Sequence, residues 1–130
     1  MRNSVSAEII EALRQFDSPT VSNAIEAFKV RNLTEGYVSM ELRCQFPNLK
    51  PMVGYAVTCT MDSTTTGPKR KGKLLEFLDL LAAVPKPTIV VAQNIGPDRL
   101  RSCFSGDLIC TVYQALGAVG LVSTGGIRDM

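Results

Sequence analysis

The chain has 130 residues, 45% of them hydrophobic and 20% charged, with a formal net charge of +2. That length suits a single domain, 1–130, with one core, and the near-balanced charge gives no reason to expect nucleic acid or an acidic membrane surface as a partner. No apolar run approaches the ~20 residues of a bilayer span, and Met1-Arg2-Asn3-Ser4 leads into a helical pattern without an apolar signal segment, so a cytoplasmic protein is expected.

In chain order, Ser6 suits the cap of a first helix carrying Ile9, Ile10, Leu13 and Phe16 on one face. Ser18 and Pro19 then read as N-cap and first helical residue of a second helix, with Val21, Ala24, Ile25 and Phe28 as its buried stripe. Periodicity fails from Lys29 to Lys50, where Asn32, Gly36 and Pro47 mark a long connection. Met52 to Met61 alternates as a strand, with Val53, Tyr55, Val57 and Cys59 on one side. A polar loop, Asp62 to Lys71, precedes an apolar helix from Leu74 to Val84, which Pro85 and Pro87 end. Lys69, Arg70, Lys71 and Lys73 form a basic rim without interleaved aromatics, so stacking on bases is unsupported.

Thr88 to Ala92 is β-branched and apolar, as expected of a central strand covered on both faces. Asn94 to Arg101 reads as a loop. Ser105 suits the cap of a further helix, with Leu108, Ile109, Val112 and Leu116 toward the core and Gly117 closing it. Ala118 to Thr124 is a short buried strand that runs into Gly125-Gly126-Ile127-Arg128-Asp129. Strands alternating with helices predict an α/β architecture, and ligands in such folds bind beyond the carboxyl ends of the strands.

Histidine is absent. This excludes His triads, phosphohistidine carriers and His-ligated metals, so a metal here would be a hard ion on oxygen ligands, such as Mg²⁺ or Mn²⁺. Proton transfer would fall to a carboxylate, Lys, Tyr, Cys or a metal-bound water. Cys44, Cys59, Cys103 and Cys110 contain no C-x-x-C pair and read as free, mostly buried thiols.

Two segments carry candidate chemistry. Ser105-Gly106-Asp107-Leu108 opens a helix whose unpaired N–H groups and dipole favour an anion, and Gly106 allows close approach to the backbone. Asp107 can equally be a surface carboxylate that satisfies the dipole. Arg128 and Asp129 follow a flexible Gly-Gly turn, and are either a solvated ion pair or, pointing to opposite faces, two ligands of one site.

Twenty residues separate Asp107 from Arg128, and Asp129 follows directly. This stretch resembles the Asp-x20-Arg-Asp motif of the class II pyruvate aldolases that cleave 4-hydroxy-4-methyl-2-oxoglutarate and 4-carboxy-4-hydroxy-2-oxoadipate. Their wider RraA-like family includes the regulator of ribonuclease activity A and proteins labelled demethylmenaquinone methyltransferase. Asp17-Ser18-Pro19-Thr20-Val21-Ser22-Asn23-Ala24-Ile25, Gly54-Tyr55-Ala56-Val57-Thr58 and Gly117-Ala118-Val119-Gly120 agree with it, so the resemblance covers nearly the whole chain.

The resemblance implies a mixed-sheet α/β domain of the swivelling β/β/α type, assembled as trimers or paired trimers (hexamers) with sites between subunits. It implies that Asp129 holds Mg²⁺ or Mn²⁺, largely through waters, and that Arg128 contacts the keto or enolate oxygen of a pyruvyl group. Backbone N–H groups near Gly106, Asp107 and Leu108 would receive the carboxylate of this small 2-oxo acid, and Asp107 would organise metal-bound water. The implied activity is retro-aldol cleavage, oxaloacetate decarboxylation, or both. The alternative is a non-catalytic regulator that binds a ribonuclease or another protein; such regulators lack the metal-binding aspartate, whereas Asp129 is present here. No glycine-rich strand–helix loop supports a methyltransferase. The resemblance also places an acidic residue three positions beyond Asp129, then further strands and a helix. The expectation is therefore a shortened chain whose second acidic ligand is missing or comes from a neighbouring subunit.

Overall fold

A computed structural model describes residues 5–68 and 72–129. The chain divides into two compact units, Met1–Val53 and Gly54–Met130. The first contains α1 (Ala7–Leu13) and α2 (Ser18–Ala27). Ser6 caps α1 as expected, its hydroxyl accepting the Ile9 N–H at 3.3 Å. Asp17, rather than Ser18, caps α2, accepting the Thr20 N–H at 2.8 Å. The carboxylate competes better than the hydroxyl for that donor, and Pro19 still lies in the first turn, where it loses no hydrogen bond. The expected buried stripe of α2 is not formed: Val21 and Ile25 are half-buried, and Ala24 and Phe28 are exposed. Among the described residues, 29–53 contain no helix or strand, in keeping with their failed periodicity.

The second unit runs β1 (Tyr55–Met61), α3 (Leu74–Ala83), β2 (Thr88–Asn94), a 3₁₀ turn (Arg99–Arg101), β3 (Cys103–Ser105), α4 (Asp107–Ala115), β4 (Ala118–Ser123) and β5 (Gly126–Ile127). β1, β2 and β4 make a three-stranded sheet in the order β1-β2-β4, both pairings parallel. Each parallel step needs a crossover, and α3 and α4 supply them. β3 and β5 form a separate parallel pair. The α/β class follows directly from this alternation.

Val57, Leu81, Val90, Tyr113 and Ala118 form the core, with Phe77, Leu78, Phe104, Ile109 and Leu121 among the residues packed around it. β1 alternates as its pattern predicts: Val57 is buried and Tyr55, Cys59 and Met61 half-buried, while Ala56, Thr58 and Thr60 are exposed. β2 departs from expectation. Thr88, Val90, Ala92 and Asn94 are buried, whereas Ile89 and Val91 are only half-buried, so one face is covered more fully than the other. In α4 the buried residue is Tyr113, which the sequence did not suggest for the core, whereas Leu108 in the first turn is 74% exposed. The Tyr113 ring meets Phe77 edge-on, centroids 6.0 Å apart, and stacks near Phe104 at 6.3 Å. A buried aromatic ring removes a large apolar surface from water, which makes Tyr113 the anchor of α4 on the core. Burial, reinforced by the Cys59 and Cys110 thiols, pushes the Tyr113 hydroxyl up to about 12, so it stays protonated. All four cysteines are free; Cys59 and Cys110 are half-buried, and Cys44 and Cys103 are exposed, contrary to the expectation of mostly buried thiols. Burial also raises the Cys59 thiol above its ordinary value.

Candidate active site

The amino end of α4 and the segment after β5 converge. Gly106 is the N-cap of α4, in extended conformation with no side-chain cap, and not Ser105 as the sequence suggested. Ser105 is instead the last residue of β3, 2% exposed, with its hydroxyl beside that of Tyr113. Strand pairing turns that side chain inward, away from the helix end it was expected to cap. Gly125-Gly126 is more than a solvent turn, because Gly126 and Ile127 pair with Cys103 and Ser105. The Gly126 N–H donates to Ser102 O at 3.0 Å, and the Arg128 N–H to Ser105 O at 3.0 Å.

These bonds deliver Arg128 and Asp129 to Gly106. A Cβ on Gly106 would lie 2.7 Å from Asp129 Oδ2 and 3.2 Å from Arg128 Nε. Glycine leaves that space without moving either side chain, so the glycine noted for close approach is used first by the chain's own Arg-Asp pair. Arg128 Nε and Asp129 Oδ2 are 3.4 Å apart, with side chains 75% and 50% exposed. An ion pair this open adds little stability, and both groups remain available to a ligand. Asp129 adopts a left-handed backbone, φ 63°, one of the few positions where aspartate is tolerated better than most residues.

Asp107 opens α4, and its Oδ1 accepts the Leu108 N–H at 2.6 Å. The carboxylate therefore holds one of the donors expected to receive a substrate carboxylate. A cavity of about 440 Å³ lies at this end, lined by Gly106, Asp107, Leu108 and Arg128, and also by Cys103, Phe104, Ser105 and Ile109. Asp107, Arg128, Gly106 and Leu108 are thus brought together, and Asp129 reaches the same glycine. Cys103, Phe104 and Ile109 were missed as lining residues; their nearness to Gly106 in sequence was the available signal. Of the basic rim, Lys73 pairs with Glu76 at 2.8 Å on α3, and Lys69, Arg70 and Lys71 lie outside the described residues.

A family model described as RraA-like, Aldolase/RraA, matches residues 8–130. The chain belongs to the RraA-like family. No curated protein and no solved structure matches it. The RraA-like family contains both aldolases and regulators, so membership alone leaves the choice between them to the chemistry of the site. On that chemistry, no three Cys, Asp or Glu side chains converge among the described residues. Asp129 and Asp107 supply hard oxygen donors near Gly106, which fits an ion held by one or two carboxylates with waters completing its shell, the usual habit of Mg²⁺. Among the described residues of this RraA-like chain, no helix is long and apolar enough to cross a membrane.

Proposed function

We propose that the chain is a divalent-metal-dependent lyase acting on small 2-oxo acids, by retro-aldol cleavage of 4-hydroxy-4-methyl-2-oxoglutarate-type substrates, by oxaloacetate decarboxylation, or both. The observation that carries this reading is the packing of Arg128 and Asp129 against Gly106 at the amino end of α4. In this reading the α4 amino end and the N–H groups around Gly106, Asp107 and Leu108 receive the substrate carboxylate. Asp107 releases the Leu108 N–H to it. Arg128 meets the pyruvyl keto oxygen. When the carbon–carbon bond breaks, its electron pair enters the pyruvyl unit and negative charge grows on that oxygen, where a fixed guanidinium stabilises it most. The other fragment leaves as carbon dioxide, or as a carbonyl compound after its hydroxyl proton is lost. Protonation of the remaining carbon gives pyruvate. Asp129, helped by Asp107, would hold Mg²⁺ or Mn²⁺, which supplies Lewis-acid stabilisation of the same charge.

The proposal includes assembly as trimers or hexamers with sites between subunits. Leu74, Leu75, Leu100 and Leu108 leave apolar surface in the second unit for such contacts to cover. One observation favours the second reading, a non-catalytic regulator that binds a protein partner: the Asp107 carboxylate already occupies the Leu108 N–H.

Pyruvate release from oxaloacetate, with and without Mg²⁺ or Mn²⁺ and corrected for the metal-only rate, separates the two. The lyase reading expects metal-dependent turnover that falls about 100-fold or more in Arg128→Ala. It also expects Asp129→Asn to shift the metal titration to higher concentration. Full activity in Arg128→Ala would remove that residue from the site, and an inert wild-type chain with metal present would favour the regulator.

A further inference from the structure

A second set of hydrogen bonds links the site to the three-stranded sheet, beginning at the turn that leaves β1. Asp62 Oδ1 accepts the N–H groups of Thr64 at 3.0 Å and Thr65 at 2.9 Å, and Oδ2 accepts the Thr65 hydroxyl hydrogen. This side-chain-closed turn orients the two hydroxyls beside it. Thr64 Oγ1 accepts the Asp98 N–H at 3.2 Å, and Ser63 Oγ accepts the Cys103 N–H at 3.2 Å. The turn packs against Gly96, where a Cβ would collide with Thr64 Oγ1 and Asp62 Oδ1. Asn94, at the end of β2, holds Gly96 in place by accepting its N–H at 2.9 Å.

The consequence lies in β3 and β5, of three and two residues. Pairs that short are not self-supporting. β3 carries the Ser105 carbonyl that holds Arg128, and β3 begins at Cys103, whose N–H is bound by Ser63. We propose that Ser63 and Thr64 are positioning residues of the site: they register β3 and the turn before it with the main sheet, and through β3 they hold Arg128 and Asp129 against Gly106. The hydroxyls touch no substrate. Their effect on activity rests on the lyase reading above, but the tie itself does not.

The test is amide hydrogen exchange at single-residue resolution on the full chain. Removing one acceptor, in Ser63→Ala, should speed exchange about fivefold at Cys103, Gly126 and Arg128. Val57 and Val90 in the main sheet should not change, and Ser63→Thr should restore protection. Thr64→Val should act similarly at Asp98. In the pyruvate assay, Ser63→Ala should lower kcat with KM for oxaloacetate unchanged, and Ser63→Thr should recover it. Unchanged exchange at Gly126 and Arg128 in Ser63→Ala overturns the proposal. Absent turnover in the wild-type chain overturns the lyase reading instead, because exchange reports the tie without any substrate.

Discussion

The two sheets of the second unit differ in kind. β1 and β2 each have seven residues paired in register along their length, and Val57 and Val90 are 3% and 0% exposed. β3 and β5 have three and two, and the residues they deliver are mostly exposed. The larger sheet is held by burial of apolar side chains, a term that does not depend on any single hydrogen bond. The smaller is held by a few specific bonds, to Ser102, Ser105 and Ser63. Stability is concentrated in the first and, on the proposed function, chemistry in the second, so damage to each should read out differently.

Leu81→Ala tests the stable half and carries the largest expected effect. Leu81 is fully buried against the sheet, and its truncation should cost about 2–5 kcal/mol in urea or thermal unfolding. Any loss of turnover should track the unfolded fraction. Gly106→Ala is the converse. The added methyl would overlap Asp129 Oδ2, and the pair must move. A displacement near 1 Å at a reacting group costs activity on the order of 100-fold, while unfolding should change by only about 1 kcal/mol, the ordinary effect of a point substitution. A Gly106→Ala variant as active as the wild type would mean that the packing of Arg128-Asp129 against the helix end is not the working geometry.

The smallest effect is one of pH. Hydrogen bonds from Thr65, its side chain first, and then from the Thr64 backbone hold the Asp62 carboxyl below its ordinary value of 3.8. A group depressed on folding contributes stability above its unfolded value and loses that contribution as pH falls through the folded one. The window therefore opens near pH 3.8 and extends downward. Protection of the Thr64 and Thr65 amides, taken relative to the intrinsic exchange rate at each pH, should fall within that window on acidification, and in Asp62→Asn that loss should disappear. A pH profile identical in Asp62→Asn would assign the transition to another carboxylate.

The larger sheet was legible in the sequence because its signals are periodic. Alternation marked β1, the apolar run before Pro85 marked α3, and β-branched residues marked β2. Gly117, at φ 87°, closed α4 where expected. Two of the errors share a cause. Ser18 and Ser105 each fit a local preference for a cap and gave way to a stronger claim, Asp17 as the better acceptor and Ser105's own strand pairing; Leu108 fits the helical period but lies exposed in the first turn of α4, and Tyr113 is the buried residue instead. β5 was invisible because two residues carry no period. The Asp107, Arg128 and Asp129 set came from spacing and resemblance, and local pattern alone left it as ambiguous as any surface charge. That Gly106 serves the Arg-Asp pair depends on a contact across more than twenty residues of chain, which no local reading contains.

The left-handed backbone at Asp129 limits what can replace it. In a saturation library at this position, selection for folding alone would tolerate glycine, asparagine and aspartate and would disfavour valine, isoleucine and threonine, whose branched side chains clash with positive φ. Glutamate keeps the charge but not the short side chain that makes this conformation affordable to an acid. On the proposed function the codon at 129 is thus constrained twice, by shape and by charge, and aspartate is the one residue that answers both.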